Sequence, residues 1–348
     1  MASELRILIE VVHPAHVHFF RVPIERLIAR GHRVLIASRD KDVTLSLLDD
    51  AGADHRCISS AGHGLFQLAI ELLHRDVALW RLARRFRPDV MCGYGGVAIS
   101  HVGKVLGIRT LAFYDTEKAV LQQRLTLPFI DKQYVPTCYD GLTAAGRTAR
   151  FQGPKELSNL HPDNFAADRN IAVRAGLAEN RPNFMLRVVN WGANHDHGAS
   201  GWRLETLRKI VAKFAPRGKV HISVEGELPP DLENFAYQGS AEAFHHLLAH
   251  CDLYLGESAT IACEALVLGV PSIYGVADRR SYIDELAQLG LIYSVGSNSE
   301  QALFELIDEA LRSDRSGWES ARETWIKTVG NLGEFVTDKI LEHGHSSR

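Results

Sequence analysis

The sequence predicts an α/β protein built from two Rossmann-like halves, and three observations carry that expectation. Short apolar segments of strand length alternate with stretches of helical periodicity along nearly the whole chain, the pattern of parallel βαβ units. The alternation lapses once, between Pro136 and Pro162, where Gly, Pro, Thr, Asn and His collect without a clean period, as in a connector. The chain has 348 residues, about twice an ordinary domain. The expected division is therefore an N-terminal domain over 1–160, a C-terminal domain over 161–320, and a helix with tail over 321–348 that returns to the first domain.

In the first half, Arg6–Val12 is an apolar strand that runs into His13-Pro14-Ala15-His16-Val17-His18. Phe19–Arg30 has helical spacing and ends at Gly31, a residue that accepts the left-handed conformation at helix ends. His32–Ser38 is the second strand, Lys41–Ala51 the second helix and His55–Ile58 a short strand. Gly62-His63-Gly64 opens a long helix from Leu65 to Phe86, stopped by Arg87-Pro88. The strand Asp89–Cys92 enters the turn Gly93-Tyr94-Gly95-Gly96, then the helix Val97–Leu106 and the strand Arg109–Phe113. Asp115-Thr116-Glu117 is read as the cap of a helix to about Leu125, and Asp131–Val135 as the strand that closes the first sheet.

The second series consists of the strand Asn183–Val189, helix Trp202–Phe214, strand Lys219–Ser223, a short Phe235–Tyr237 segment and helix Ala241–His250. It continues with the strand Asp252–Leu255, helix Ile261–Leu268, strand Ser272–Tyr274 and helix Ser281–Leu289. Two helical stretches, Ser299–Leu311 and Trp318–Glu342, finish the chain.

Composition narrows the function. Hydrophobic residues at 46% and charged residues at 23% are ordinary for a globular protein, and a net charge of −3 argues against nucleic acid as partner. The five cysteines are scattered and never in CxxC spacing, so neither a disulfide framework nor a zinc site is expected, and a reducing cytoplasm fits best. No run approaches the ~18 apolar residues of a membrane span. The stretch from Gly64 to Arg87 joins Leu73, Val77 and other apolar residues to Arg81, Arg84 and Arg85; it is either a helix packed in the first domain or a peripheral contact with anionic lipid at the inner face of the membrane. Seventeen histidines fall partly in clusters (13/16/18, 195/197, 245/246, 343/345), but without HExxH, so no metal and no cofactor is expected. There is neither a Walker motif nor a GxSxG elbow.

Ligands of open α/β sheets bind beyond the carboxyl ends of the strands, here in a cleft walled by both domains. The most informative wall is Gly256-Glu257-Ser258-Ala259-Thr260 followed by Glu264, a strand–turn–helix in which N–H groups, hydroxyls and the helix dipole suit a diphosphate and the acidic residue suits ribose hydroxyls. The competing interpretation is a helix merely capped by Ser258 or Thr260, with Glu264 solvated. Arg187, Asn190 and His195 follow the first strand of the second domain and can neutralise or hydrogen-bond phosphate. Glu225 lies in an acidic turn where a nucleobase can pack. On the acceptor side, His16 is the first candidate for general base, His18 the second and His13 the third, the one best suited to a structural role; Asp115 and Glu117 can orient sugar hydroxyls or the histidine.

With these loops in place the chain resembles the glycosyltransferase-B (GT-B) superfamily, and within it the family filed as domain of unknown function 354. The resemblance rests on His13-Pro14-Ala15-His16-Val17-His18-Phe19-Phe20, Gly31-His32 with Arg39-Asp40-Lys41-Asp42, Asp115-Thr116-Glu117, Trp191 with His195-Asp196, and Gly256-Glu257-Ser258-Ala259-Thr260, and covers the chain to about Asp314. It implies two Rossmann-like domains facing each other across a cleft, with C-terminal helices crossing back. The enzyme that adds N-acetylglucosamine to the undecaprenyl-linked peptidoglycan precursor is similar in the Ser258–Glu264 region, where its glutamate binds ribose. Its strand 1 loop, glycine-rich where this chain has His-Pro-Ala-His, serves the acceptor. The UDP-N-acetylglucosamine 2-epimerases are a second similar group. The implied function is a metal-independent glycosyltransferase that takes a sugar from a nucleotide-diphosphate donor, foremost a UDP-sugar, to a hydroxyl acceptor, glycan or polyprenol-linked, in surface polysaccharide or glycolipid synthesis. A 2-epimerase-like isomerase and a non-catalytic nucleotide-sugar binding protein are the alternatives, and the oligomeric state stays open.

Overall fold

The computed structural model describes residues 3–60, 65–189, 201–224, 226–297 and 299–346. The chain divides into two compact units, unit 1 from Met1–Asn159 with Asn331–Arg348 and unit 2 from Leu160–Gly330.

Unit 1 runs β1 (Arg6–Val11), α1 (Pro14–Ala29), β2 (Arg33–Asp40), α2 (Thr44–Asp50), β3 (His55–Ser60), α3 (Leu65–Phe86), β4 (Val90–Tyr94) and α4 (Val97–Leu106). It continues with β5 (Arg109–Phe113), α5 (Val120–Thr126), β6 (Lys132–Pro136), β7 (Thr148–Phe151) and α6 (Leu157–Leu160), the last ending at the unit boundary. Its parallel sheet has the order β3-β2-β1-β4-β5-β6-β7. Ile7, Leu8, Ile9, Met91 and Cys92 are fully buried, as expected of strands covered on both faces by helices.

Unit 2 runs α7 (Arg169–Arg174), β8 (Asn183–Val188), α8 (Leu204–Phe214), β9 (Lys219–Val224), α9 (Phe244–Leu248), β10 (Leu253–Gly256) and α10 (Ala259–Leu268). Then come β11 (Ser272–Tyr274), α11 (Ser281–Gln288), β12 (Tyr293–Ser294), α12 (Glu300–Arg312) and α13 (Arg315–Val329). Its parallel sheet has the order β12-β11-β10-β8-β9. Leu186, Leu207, Ile210, Phe214, Ile222, Leu255 and Ile273 belong to its core. The final helix, α14 (Leu332–His345), is part of unit 1.

Both sheets change direction at a point that matters. In unit 1 the order reverses between β1 and β4, and in unit 2 between β10 and β8, so crevices open beyond the carboxyl ends of those strand pairs. The loops that follow them start at Val12, Gly95, Val189 and Glu257.

Four expectations are corrected. Helix α1 begins at Pro14, not Phe19, because proline is well suited to the first helical position and the His13 imidazole accepts from the Ala15 N–H at 3.2 Å. Asp115 does not cap the following helix, which starts at Val120; its carboxylate is engaged by Lys155 instead. The 136–162 stretch holds an additional edge strand, β7, so β6 does not close the sheet. The last long helical stretch is two helices, broken where Gly330 takes φ 72° and Asn331 caps α14 through the Glu334 N–H.

In α3, Leu79 and Ala83 are buried, whereas Leu68, Ile70, Leu73 and Val77 are 39%, 40%, 65% and 47% exposed. The N-terminal half of the helix is thus held through Glu71 and Arg75, which are turned inward, and leaves Leu68, Ile70, Leu73 and Val77 on the surface. No helix among the described residues is long and apolar enough to cross a membrane.

Candidate functional site

In unit 2, β10 and β8 pair so that Gly256 lies opposite Arg187. A side chain at 256 would have its Cβ 2.8 Å from the Arg187 Cβ, so only glycine lets the two strand ends approach. The chain then turns into α10, where the Ser258 hydroxyl accepts from the Ile261 N–H at 3.3 Å. Ser258 is therefore the N-cap, as the plainer interpretation of this turn required. The first N–H groups of any α-helix lie outside its hydrogen-bond ladder, so Ala259 and Thr260 stand where an anion is favoured. Glu264 is not solvated: it is 8% exposed, with Oε2 3.2 Å from His245 Nε2.

Arg187 donates from Nη1 to Ser223 Oγ at 2.8 Å, tying the end of β8 to β9. Beside it a cavity of about 610 Å³ is lined by Ser223, Gly226, Leu228, Ala236 and Tyr237 among others. Glu257 has a different place from that of a ligand group. Its carboxylate accepts from the Val189 N–H at 2.8 Å and from the Trp202 N–H, so one side chain fastens two backbone points 13 positions apart. Burial raises its pKa, partly countered by those two bonds. Asn190 and His195, between those points, and Glu225 lie outside the described residues.

In unit 1 the corresponding crevice gathers His16, Tyr94, Asp115 and Lys155. The His16 ring is 5.1 Å from Tyr94 and 5.8 Å from His13, centroid to centroid. Its Nδ1 accepts from the Val12 N–H at 3.4 Å. Burial, reinforced by His13 and Lys155, lowers its pKa to about 3. A neutral ring accepting through Nδ1 carries its proton on Nε2 and is a hydrogen-bond donor there. His18 is two residues further along α1 and so projects from a different side of the helix than His16.

Asp115 is buried, with Lys155 Nζ 3.0 Å from Oδ2 and the Thr116 hydroxyl donating to Oδ1 at 3.1 Å. Burial alone would raise its pKa, but Lys155 and hydrogen bonds from Tyr94 and Thr116 outweigh it, holding the carboxyl below its ordinary value. Lys155 also lies 2.8 Å from Glu156 Oε1, so one ammonium serves two buried carboxylates. Glu117 is half-buried, and its main-chain carbonyl accepts from Gln123. Lys155 and Glu156 are not among the sequence candidates; they sit in the aperiodic 136–162 stretch, where their one local mark is a pair of adjacent opposite charges after Gly153-Pro154 that by itself names no partner.

The other histidine clusters have separate occupations. His246 Nδ1 accepts from the Asp168 N–H at 2.8 Å, His245 meets Glu264, and His343 pairs with the Tyr134 hydroxyl at 2.9 Å. Far from lying in a tail, His343 and His345 are the last turn of α14.

The family model described as protein of unknown function (DUF354) matches residues 5–295. An uncharacterised protein of Methanocaldococcus jannaschii is 24% identical over 282 residues, 77% of this chain and 81% of that one. Among solved structures, UDP-GlcNAc 2-epimerase from Neisseria meningitidis, bound to UDP-GlcNAc, superposes with a TM-score of 0.69 at 13% identity, over 97% of this chain and 100% of that one. The glycotransferase of kitacinnamycin superposes with a TM-score of 0.67 at 15% identity, over 99% of this chain and 100% of that one. The fold is GT-B.

Proposed function

Because the chain belongs to the DUF354 family and has the GT-B fold, we propose that it is a glycosyltransferase whose nucleotide-sugar donor binds at the turn into α10. The observation that carries this reading is the construction of residues 256–264: a glycine with no room for a side chain, a capped helix start, and a buried carboxylate beyond it, all at the switch point of unit 2's sheet. The donor diphosphate lies against the N–H groups of Ala259 and Thr260, and Glu264 accepts from the ribose. The cavity beside Ser223 takes the base, with uracil as first choice; the neighbouring fold that carries UDP-GlcNAc supports that choice.

Arg187 and the dipole of α10 offset the charge that grows on the leaving diphosphate, so the reaction needs no divalent cation. Chelation should leave the rate unchanged. On the acceptor side, His16 fixes the attacking hydroxyl by donating from Nε2, and Asp115, kept ionised by Lys155, takes its proton. The exposed apolar side chains Leu68, Ile70, Leu73 and Val77 of α3, with Arg81, Arg84 and Arg85 beyond them, suit an acceptor carried on a polyprenol in an anionic membrane. Vesicles of anionic lipid should carry the protein on flotation, and Leu73→Glu/Val77→Glu should return it to the soluble fraction.

The deciding experiment is calorimetric titration with uridine, cytidine, guanosine and thymidine diphosphates. One diphosphate should bind selectively, and Glu264→Ala should weaken it by about 1.5–3 kcal/mol, roughly 10- to 100-fold, the worth of hydrogen bonds to a charged group. Binding of none of the four would overturn the reading. An isomerase is the rival supported by the neighbouring 2-epimerase fold and by the acidic groups Asp115 and Glu117. Deuterium from solvent entering the donor sugar without any acceptor would decide for it.

A further inference from the structure

Glu264 has a companion that the donor reading does not by itself require. His245, on α9, reaches it with Nε2 3.2 Å from Oε2, and both residues are buried at 8% exposure. The imidazole is itself held: the Phe244 ring stands 5.8 Å away at 71° and the Phe165 ring 6.2 Å away at 77°, edge-on from two sides. The adjacent His246 receives the Asp168 N–H, which ties the same helical turn to the start of α7. A glutamate has three side-chain torsions, and a buried one without a polar partner is costly as an anion. A ring N–H on one oxygen lowers both costs and sets the plane of the carboxylate.

Resting on the donor reading above, we propose that His245 is a positioning residue for ribose recognition: it holds the Glu264 carboxylate in one orientation, so that it is prepared to accept from the 2′- and 3′-hydroxyls. His245 touches no substrate. Its effect therefore passes wholly through Glu264 and is confined to ligands that carry those hydroxyls, which a general structural role would not be.

The test measures the dissociation constants of uridine diphosphate and 2′,3′-dideoxyuridine diphosphate for five proteins: wild type, His245→Ala, His245→Gln, Glu264→Ala and the double variant His245→Ala/Glu264→Ala. Wild type should prefer the ribonucleotide by about tenfold or more, the worth of one or two hydrogen bonds to a carboxylate. His245→Ala should lose most of that preference while binding the dideoxy compound as wild type does, and the double variant His245→Ala/Glu264→Ala should discriminate no less than Glu264→Ala alone. His245→Gln, whose amide N–H can take the place of Nε2–H, should recover the preference, which separates positioning from loss of fold; thermal unfolding of each variant confirms that it is folded. Equal weakening of both nucleotides in His245→Ala, or an unchanged preference, would overturn the inference while leaving the donor site standing. Failure of wild type to bind uridine diphosphate at all would remove the donor reading in this form, and the inference with it.

Discussion

Unit 1 and unit 2 obey one topological rule with opposite materials. Beyond the switch point of unit 2 the groups on offer are mostly main-chain N–H and small side chains, framed by two charged residues, Arg187 and Glu264, that each meet a neutral or histidine partner. At the corresponding place in unit 1 charged side chains clamp one another, with Lys155 between Asp115 and Glu156. Behind them Glu10, Arg75, Glu71 and Arg39 form a second buried chain with separations of 3.6, 3.5 and 2.8 Å. A backbone cradle suits a feature shared by many ligands, such as a diphosphate; interlocked side chains suit one acceptor and a proton. Substitutions in unit 2 should thus be read mainly in binding, and those in unit 1 in turnover and stability together.

The sharpest way to break that contrast is at Lys155. Lys155→Met would leave two buried carboxylates without their cation and should cost about 3–5 kcal/mol in denaturant unfolding. Adding Asp115→Asn should restore part of it, and a purely additive double variant would show that the clamp is not a unit. Next comes Gly256→Ala, which forces β10 from β8 and should cost about 1–3 kcal/mol in stability together with nucleotide binding. Unchanged nucleotide affinity in that variant would mean that the close approach of the strands does not shape the site.

A pH series tests both units at once. His16 and His221 have pKa values lowered, chiefly by burial, to about 3 and about 4 from an ordinary 6.5. Their folded forms refuse protons that the unfolded chain binds, so stability is full above pH 6.5 and falls as pH drops toward those values. The slope approaches about 1.4 kcal/mol per pH unit for each histidine. His16→Asn and His221→Asn should each flatten the acid limb of stability measured by urea unfolding; an unaltered limb would exonerate that residue. The smallest effect belongs to Ser258→Ala, about 1 kcal/mol of helix capping, read as a lower melting temperature.

The same contrast explains what could be read from the residues alone. Strands β1, β4, β8 and β10 are legible because burial on both faces demands a mostly apolar run, and the turn at Gly256 because its backbone admits little else. Lys155 was not legible, since it sits after a four-residue edge strand too short to show a period. The role of Glu257 was equally hidden: its partners are 55 and 68 positions away in sequence, and no periodicity encodes a hydrogen bond of that span. Pro14 reads as part of a loop in the sequence because a proline can either stop a helix or start one, and only the fold shows which. Local chemistry reads locally; clamps between distant segments do not.

The return of α14 to unit 1 bears on how the chain is made. Arg26 of α1 and Arg30 at its C-cap lie 3.6 and 3.1 Å from Glu334 and Asp338, Tyr134 meets His343, and a methyl group at Gly344 would come within 2.7 Å of Leu5. Unit 2 is one continuous insertion, whereas unit 1 is sewn from the first and last pieces of the chain. During synthesis from the N-terminus, the half made second is thus the one that can finish folding first, while the earlier half waits on the ribosome for its closing helix.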